Sequence, residues 1–152
     1  MQDRESDIFF MRVALEEAEA AFHEGEVPIG AVLVKDGNIV AKAHNSREAT
    51  NDPTGHAEIF VIKSGADQMG SWRLTDVTLY VTKEPCIMCA GAMVNARLGR
   101  LVYGCKDEKG GAVDSLYNLL SDKRLNHRVE IVSGILEEEC SLILKKFFQE
   151  RR

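Results

Sequence analysis

Cys86 and Cys89 follow Pro85 with two residues between them, and His56-Ala57-Glu58 lies thirty residues upstream. Residues three apart share a helical face, so a helix starting at this turn points both thiols the same way. Proline suits the first helical position, because its φ is preset and its missing N–H would have no helical partner there. The positive end of the helix dipole favours thiolates, which are the metal-binding form of cysteine. Two sulfurs do not complete a tetrahedral zinc shell. His56 is the natural third ligand and water the fourth, and that open place distinguishes a catalytic zinc from a structural one. One zinc ion per chain is expected. Zinc lowers the pKa of its water to about 7, giving zinc-bound hydroxide at neutral pH. A carboxylate beside it, Glu58, can take the proton and later deliver it to a substrate.

These residues need particular elements to bring them together. On a regular helix, positions i and i+2 lie roughly 200° apart, so His56 and Glu58 converge only if His56 is still entering the helix. The Pro53-Thr54-Gly55 lead-in fits that requirement, at the end of a loop-rich stretch from His44 to Gly55. The helix that follows is predicted from His56 to about Lys63, with Gly65 as its stop. The cysteine turn is fed by a predicted strand, Val77 to Thr82. A helix from Pro85 to Arg97, closed by Gly99, and a strand, Leu101 to Cys105, complete a βαβ unit.

The remaining elements build the layers. Phe10, Ala14, Ala18 and Phe22 recur every fourth position in a first helix from about Ser6 to His23. Ile29 to Val34 is apolar enough for a strand buried on both faces, and Asp36-Gly37 turns it into a partner at Ile39 to Ala43. Lys106 to Asn126 is polar and Gly-containing, with at most a short helical Leu116 to Leu120. A fifth strand at Arg128 to Val132 precedes a closing helix at Ile135 to Phe148. That helix carries Leu136, Cys140, Ile143, Leu144 and Phe147 on one face, and three glutamates in its first turn. The order is α-β-β-α-β-α-β-β-α, an α/β layered domain.

The 152 residues suit one domain, 1–152, and 45% hydrophobic with 28% charged residues is ordinary for a soluble globular chain. No apolar run approaches a membrane span. Met1-Gln2-Asp3-Arg4-Glu5 lacks the apolar core of a signal peptide, which points to the cytoplasm. There, four cysteines read as thiols or metal ligands rather than disulfides. Cys105 and Cys140 sit in apolar patterns without partner spacing and read as core. His23, His44 and His127 have no second ligand nearby and read as structural or surface residues. A net charge of −5 argues against non-specific coating of nucleic acid but allows a local basic patch.

His-x-Glu with Pro-Cys-x-x-Cys is the established signature of zinc-dependent nucleoside and nucleobase deaminases, which this sequence resembles. Val27-Pro28-Ile29-Gly30-Ala31-Val32, Asn45, Asp52-Pro53-Thr54, Glu84 to Met93 and Asn126-His127-Arg128-Val129-Glu130 are similar to the bacterial tRNA-specific adenosine deaminases. The likeness runs from about Glu16 to Phe148. It implies a three-layer α/β/α cytidine deaminase-like fold with a central five-stranded mixed sheet, and a homodimer. It also implies hydrolytic deamination of adenosine to inosine at the wobble position of a tRNA anticodon stem-loop. Matched position by position, His56, Cys86 and Cys89 are the zinc ligands and Glu58 the proton shuttle. Asn45 and Asp107 match residues contacting the flipped nucleotide and its neighbours, and Phe148 with the basic C-terminus matches the part that meets the anticodon loop. Lys106, Lys109, Lys123, Arg124 and the C-terminal arginines are candidate phosphate contacts, whereas Lys145-Lys146 and Arg151-Arg152 also read as a solvated helix end. The chain departs from the family pattern at Gly55, where Ala is expected, and at Lys83, where an apolar residue is expected. Two other readings of the same zinc ligands are a deaminase of a free nucleobase or nucleoside, such as guanine or cytosine, and a structural zinc module with a fourth protein ligand.

Overall fold

A computed structural model describes residues 3–151. Met1 and Gln2 of the charged N-terminus, and Arg152 of the C-terminal arginines, lie outside the described residues. The first helix, α1 (Arg4–His23), begins where the Asp3 carboxylate accepts from the Ser6 N–H at 2.8 Å. Its inward stripe is Phe10, Met11, Ala14, Ala18 and Ala21. The stripe drifts from Phe22 to Ala21 because a strict four-residue spacing overshoots the 3.6-residue turn.

Two strands follow, β1 (Gly30–Lys35) and β2 (Asn38–His44), joined through Asp36 and Gly37, both at positive φ (51° and 76°). This is the turn type whose twist suits an antiparallel hairpin. Helix α2 (Ala57–Met69), strand β3 (Val77–Lys83), helix α3 (Ile87–Asn95), strands β4 (Arg100–Cys105) and β5 (Glu130–Ser133), and helix α4 (Glu137–Glu150) complete the predicted order. No helix forms at Leu116 to Leu120, which is irregular up to a turn at Leu119 and Leu120.

The strands lie in the order β2-β1-β3-β4-β5. β1 is antiparallel to both β2 and β3, whereas β3, β4 and β5 are mutually parallel. The sheet is therefore mixed, and every strand but β1 runs the same way. The carboxyl ends of β2, β3, β4 and β5 share one edge, where α/β sheets place their sites. Alternate residues of β1 feed two cores. Ala31 and Leu33 pack with Val61, Cys89 and Met93 from α2 and α3, while Val32 and Val34 pack with Phe10, Cys140 and Leu144 from α1 and α4. This is the three-layer arrangement. Cys105 and Cys140 are buried in the second core, as their apolar settings predict.

Two helix ends differ from the sequence-based expectation. Gly65 does not stop α2; it lies inside the helix, where a Cβ would come within 2.2 Å of Leu33 Cδ2, so it permits helix and sheet to approach closely. The stop is Gly70, at φ 65°, in the left-handed conformation that glycine adopts without a Cβ penalty. Gly99 likewise does not close α3. The helix ends at Asn95, Arg97 takes the left-handed turn at φ 58°, and Gly99 passes so close to Thr75 that a Cβ would meet its carbonyl oxygen at 2.2 Å.

Across the α1 face, Asp7 ties helix to sheet. Its carboxylate accepts two 2.8 Å bonds from the Arg100 guanidinium and one of 2.8 Å from the Tyr80 hydroxyl, and both charged side chains are buried. Removing one member of a buried pair leaves the other charge uncompensated. Asp7→Asn is expected to lower the unfolding free energy by about 3–5 kcal/mol in urea titrations. A loss below about 1 kcal/mol would identify the pair as solvated.

Candidate metal centre

Three side chains that sequence reasoning grouped meet at the carboxyl edge of the sheet. His56 is the N-cap of α2 in extended conformation (φ −92°, ψ 144°), still entering the helix as its convergence with Glu58 requires. Cys86 is the N-cap of α3, also extended (φ −78°, ψ 178°), and Cys89 lies in the first turn. Pro85 therefore precedes the cap rather than occupying the first helical position, which Ile87 takes. Neither cap residue uses its side chain to cap its own helix. Asn45 from the preceding loop performs that service for α2, its Oδ1 accepting from the buried Ala57 N–H at 2.9 Å.

His56 Nδ1 lies 3.6 Å from Cys86 Sγ and 3.4 Å from Cys89 Sγ, and the three donor atoms are all within 4.8 Å of one another. A nitrogen and a sulfur at zinc bond lengths on a tetrahedral ion stand about 3.6 Å apart, so these donors are spaced to share one ion. Among the described residues no fourth His, Cys, Asp or Glu joins the group. A structural zinc module would need that fourth ligand. Cys86 is held well below the usual thiol range because Cys89 donates to its sulfur and His56 faces it. Cys89, which keeps the proton, is pushed up by the same bond and by burial.

Glu58, in the first turn of α2, is buried beside this group. Burial raises its carboxyl to about 7, against the pull of its own N–H and of His56. A carboxyl titrating near neutrality can both accept and release a proton during turnover.

Two other buried carboxylates hold the surrounding loops, and sequence spacing gave no sign of them. Glu26 accepts from the N–H groups of Arg47, Glu48 and Ala49 at 3.0, 3.2 and 2.9 Å, which fixes the loop after Asn45. Burial alone would raise its pKa; the three N–H donors overcome that and hold it below the usual value. Glu84, immediately before Pro85, accepts from the N–H groups of Asp107, Val113, Asp114 and Ser115 at 2.8–3.1 Å, and from the Ser115 hydroxyl. Their targets, the Ser115 hydroxyl apart, are backbone groups of loops distant in sequence, so no residue pattern encodes them.

The other predicted contacts lie around this edge. Asn45 is buried at the α2 cap. Asp107, two residues past β4, pairs with Lys83 at 3.1 Å. Phe148 is half exposed and stacks edge-on against Phe147 at 5.3 Å. Phe147 lines a cleft of about 490 Å³ with Asn45, Glu26, Arg47 and Arg151, and the Arg151 guanidinium lies 4.2 Å from the Phe147 ring centre. Arg47 carried no motif that would have singled it out. His44 and His127 are structurally engaged as expected: His44 bridges Glu17 and Glu24 at 2.9 and 3.1 Å, and His127 Nε2 lies 2.8 Å from the Leu98 carbonyl. Gly55 is accounted for by the loop itself, since Ser46 N–H bonds Gly55 O at 2.9 Å and a Cβ there would lie 2.5 Å from Ser46 O.

A family profile for MafB19-like deaminases matches residues 5–152. The chain belongs to this deaminase family. The deaminase is 51% identical over 146 residues to the tRNA-specific adenosine deaminase of Bacillus subtilis (strain 168), covering 96% of this chain and 91% of the relative. It superposes with a TM-score of 0.86, at 47% identity, on a structure from a study of A-to-I editing by tRNA:A34 deaminases at the wobble position of transfer RNA. That match covers 90% of this chain and 99% of the other. A guanine deaminase from Bacillus subtilis is more distant, with 38% identity, a TM-score of 0.62, and coverage of 64% of this chain and 63% of its own.

The Glu84 network generates a prediction. Burial opposes ionisation, yet the Ser115 hydroxyl and the converging N–H groups hold the carboxyl at about 2, below its ordinary 4.5. Its stabilisation is therefore complete above pH 4.5 and is lost as pH falls toward 2. Glu84→Gln is expected to cost about 3 kcal/mol at neutral pH. In thermal melts the gap between variant and parent should close progressively across that acid window; a constant gap would exclude an ionised Glu84.

Proposed function

We infer that this chain hydrolytically deaminates adenosine to inosine at the wobble position of a tRNA anticodon. The single observation that carries the mechanism is the three-donor group, joined by no fourth His, Cys, Asp or Glu among the described residues, beside a buried carboxyl. The close kinship with tRNA-specific adenosine deaminases supplies the substrate. His56, Cys86 and Cys89 are assigned to one zinc ion. The chemistry a bound zinc supplies there is Lewis acidity, which makes water nucleophilic near neutral pH.

The chain's own residues then manage protons and position. Glu58 accepts a proton from the water that attacks adenine C6 and passes it to the ring nitrogen N1. It next takes the remaining proton from the hydroxyl now on C6 and delivers it to the departing amino group, so that C6 becomes a carbonyl and adenosine and water give inosine and ammonia. Its burial keeps bulk water from competing for that proton. Asn45 holds the start of α2, and with it His56 and Glu58, while Asp107 and Phe148 are assigned to the RNA around the reacting nucleotide. An anticodon loop already presents splayed bases, so extruding one costs less than from a duplex. Lys106, Lys109, Arg47 and Arg151 provide cations along that face despite the acidic total. A homodimer acting in the cytoplasm completes the reading; no helix among the described residues is long and apolar enough to cross a membrane.

Two measurements test it. An anticodon stem-loop with adenosine at the wobble position should yield inosine while free adenosine stays nearly untouched; equal turnover of a free nucleoside, or of guanine, would move the assignment to a free-base deaminase. Glu58→Ala should reduce turnover by at least ~10²–10⁴-fold and retain zinc near one equivalent per chain, whereas Cys86→Ser should lose the metal. Loss of zinc from Glu58→Ala would show that Glu58 is a ligand and not the proton carrier.

A further inference from the structure

Lys83 stands where an apolar residue is expected, and its surroundings suggest why a cation is tolerated there. It is the last residue of β3, three positions before Cys86, on the edge of the sheet that carries the metal centre. Its Nζ lies 3.1 Å from Asp107 Oδ2, with the two side chains 25% and 21% exposed. Asp107 cannot turn away from this partner. Its Oδ1 accepts from the N–H groups of Lys109 and Gly110, each at 3.1 Å, and its own N–H is held by Glu84 at 3.0 Å. The turn thus presents a fixed carboxylate at a rim assigned to RNA, with Lys106 and Lys109 exposed on either side. A rigid anion facing a phosphate backbone opposes binding, and the repulsion is strongest at low salt.

We propose that Lys83 is a positioning residue that neutralises Asp107 from behind, so that this carboxylate can face the RNA without repelling it. The proposal rests on the tRNA reading above. The pair adds no net charge to the rim, leaves Asp107 the acceptor capacity of a carboxylate, and keeps its orientation constant. An apolar side chain at position 83 would leave the carboxylate bare. The neighbouring lysines would then be partly spent on an internal anion instead of on phosphates.

The test is a double-mutant cycle on the zinc-loaded full chain, measuring stem-loop affinity by fluorescence anisotropy between about 50 and 200 mM salt. Lys83→Leu should weaken binding about fivefold at the low-salt end and reduce the salt slope by about 1. Asp107→Asn alone reports the carboxylate's own contact with the RNA; added to Lys83→Leu it should return the salt slope to the parent's, because net charge is recovered, and should weaken affinity no further than Asp107→Asn does alone. A purely structural role for Lys83 would give a loss on top of that of Asp107→Asn, with a salt slope that the second substitution does not restore, and that result overturns the proposal. So does a Lys83→Leu variant with the parent's affinity and slope. If the parent chain itself fails to deaminate the stem-loop, the substrate reading falls and the shield falls with it; if it succeeds while Lys83→Leu is unchanged, only the shield is lost.

Discussion

Two helices start at the same point in space, and the residue at each start leaves its side chain uncommitted. An N-cap residue ordinarily turns its side chain back to meet its own helix's first N–H groups. His56 and Cys86 do not, and both are extended, so imidazole and thiol project toward each other. At α2 this is possible because Asn45 Oδ1, from the preceding loop, accepts from the buried Ala57 N–H. The candidate metal centre therefore depends on a capping duty being transferred from His56 to a neighbouring loop. The two helix dipoles also point their positive ends at this spot, which favours thiolate at Cys86, the sulfur held below the usual thiol range.

Three buried glutamates illustrate how one side chain is given different tasks by its hydrogen-bond donors. Glu26 and Glu84 are surrounded by backbone N–H groups and stay ionised below their ordinary range, acting as struts for the loops that carry Asn45 and Cys86. Glu58 is equally buried but meets few donors, so desolvation wins and its carboxyl rises toward neutrality. The division between carboxylates that stay ionised and one that titrates near neutrality follows from the local count of donors, with burial common to all three.

Much of the architecture was legible because it rests on short-range patterns. The apolar run of β1, the Asp36-Gly37 turn, the βαβ unit around the cysteines and the inner face of α4 all appear where periodicity and turn chemistry put them. The misplaced helix ends, at Gly65 and Gly99, share one cause. A glycine that permits close packing and a glycine that permits a left-handed turn are the same letter, and only the neighbours tell them apart. Leu33 and Thr75, remote in sequence, are those neighbours.

By itself the sequence determined the chemistry: a His-x-Glu and a Pro-Cys-x-x-Cys whose ligand types and spacing call for a metal, and a carboxylate beside it. Such identities are local, and donor atoms carry their preferences wherever the chain takes them. Tertiary structure decided which groups support that chemistry, namely Asn45 at the α2 start, Glu26 and Glu84 beneath the loops, Lys83 against Asp107, and Arg151 over Phe147. Each joins side chains or backbone groups that meet only when sheet order and crossover connections bring distant segments to one edge, and no one-dimensional spacing records that meeting.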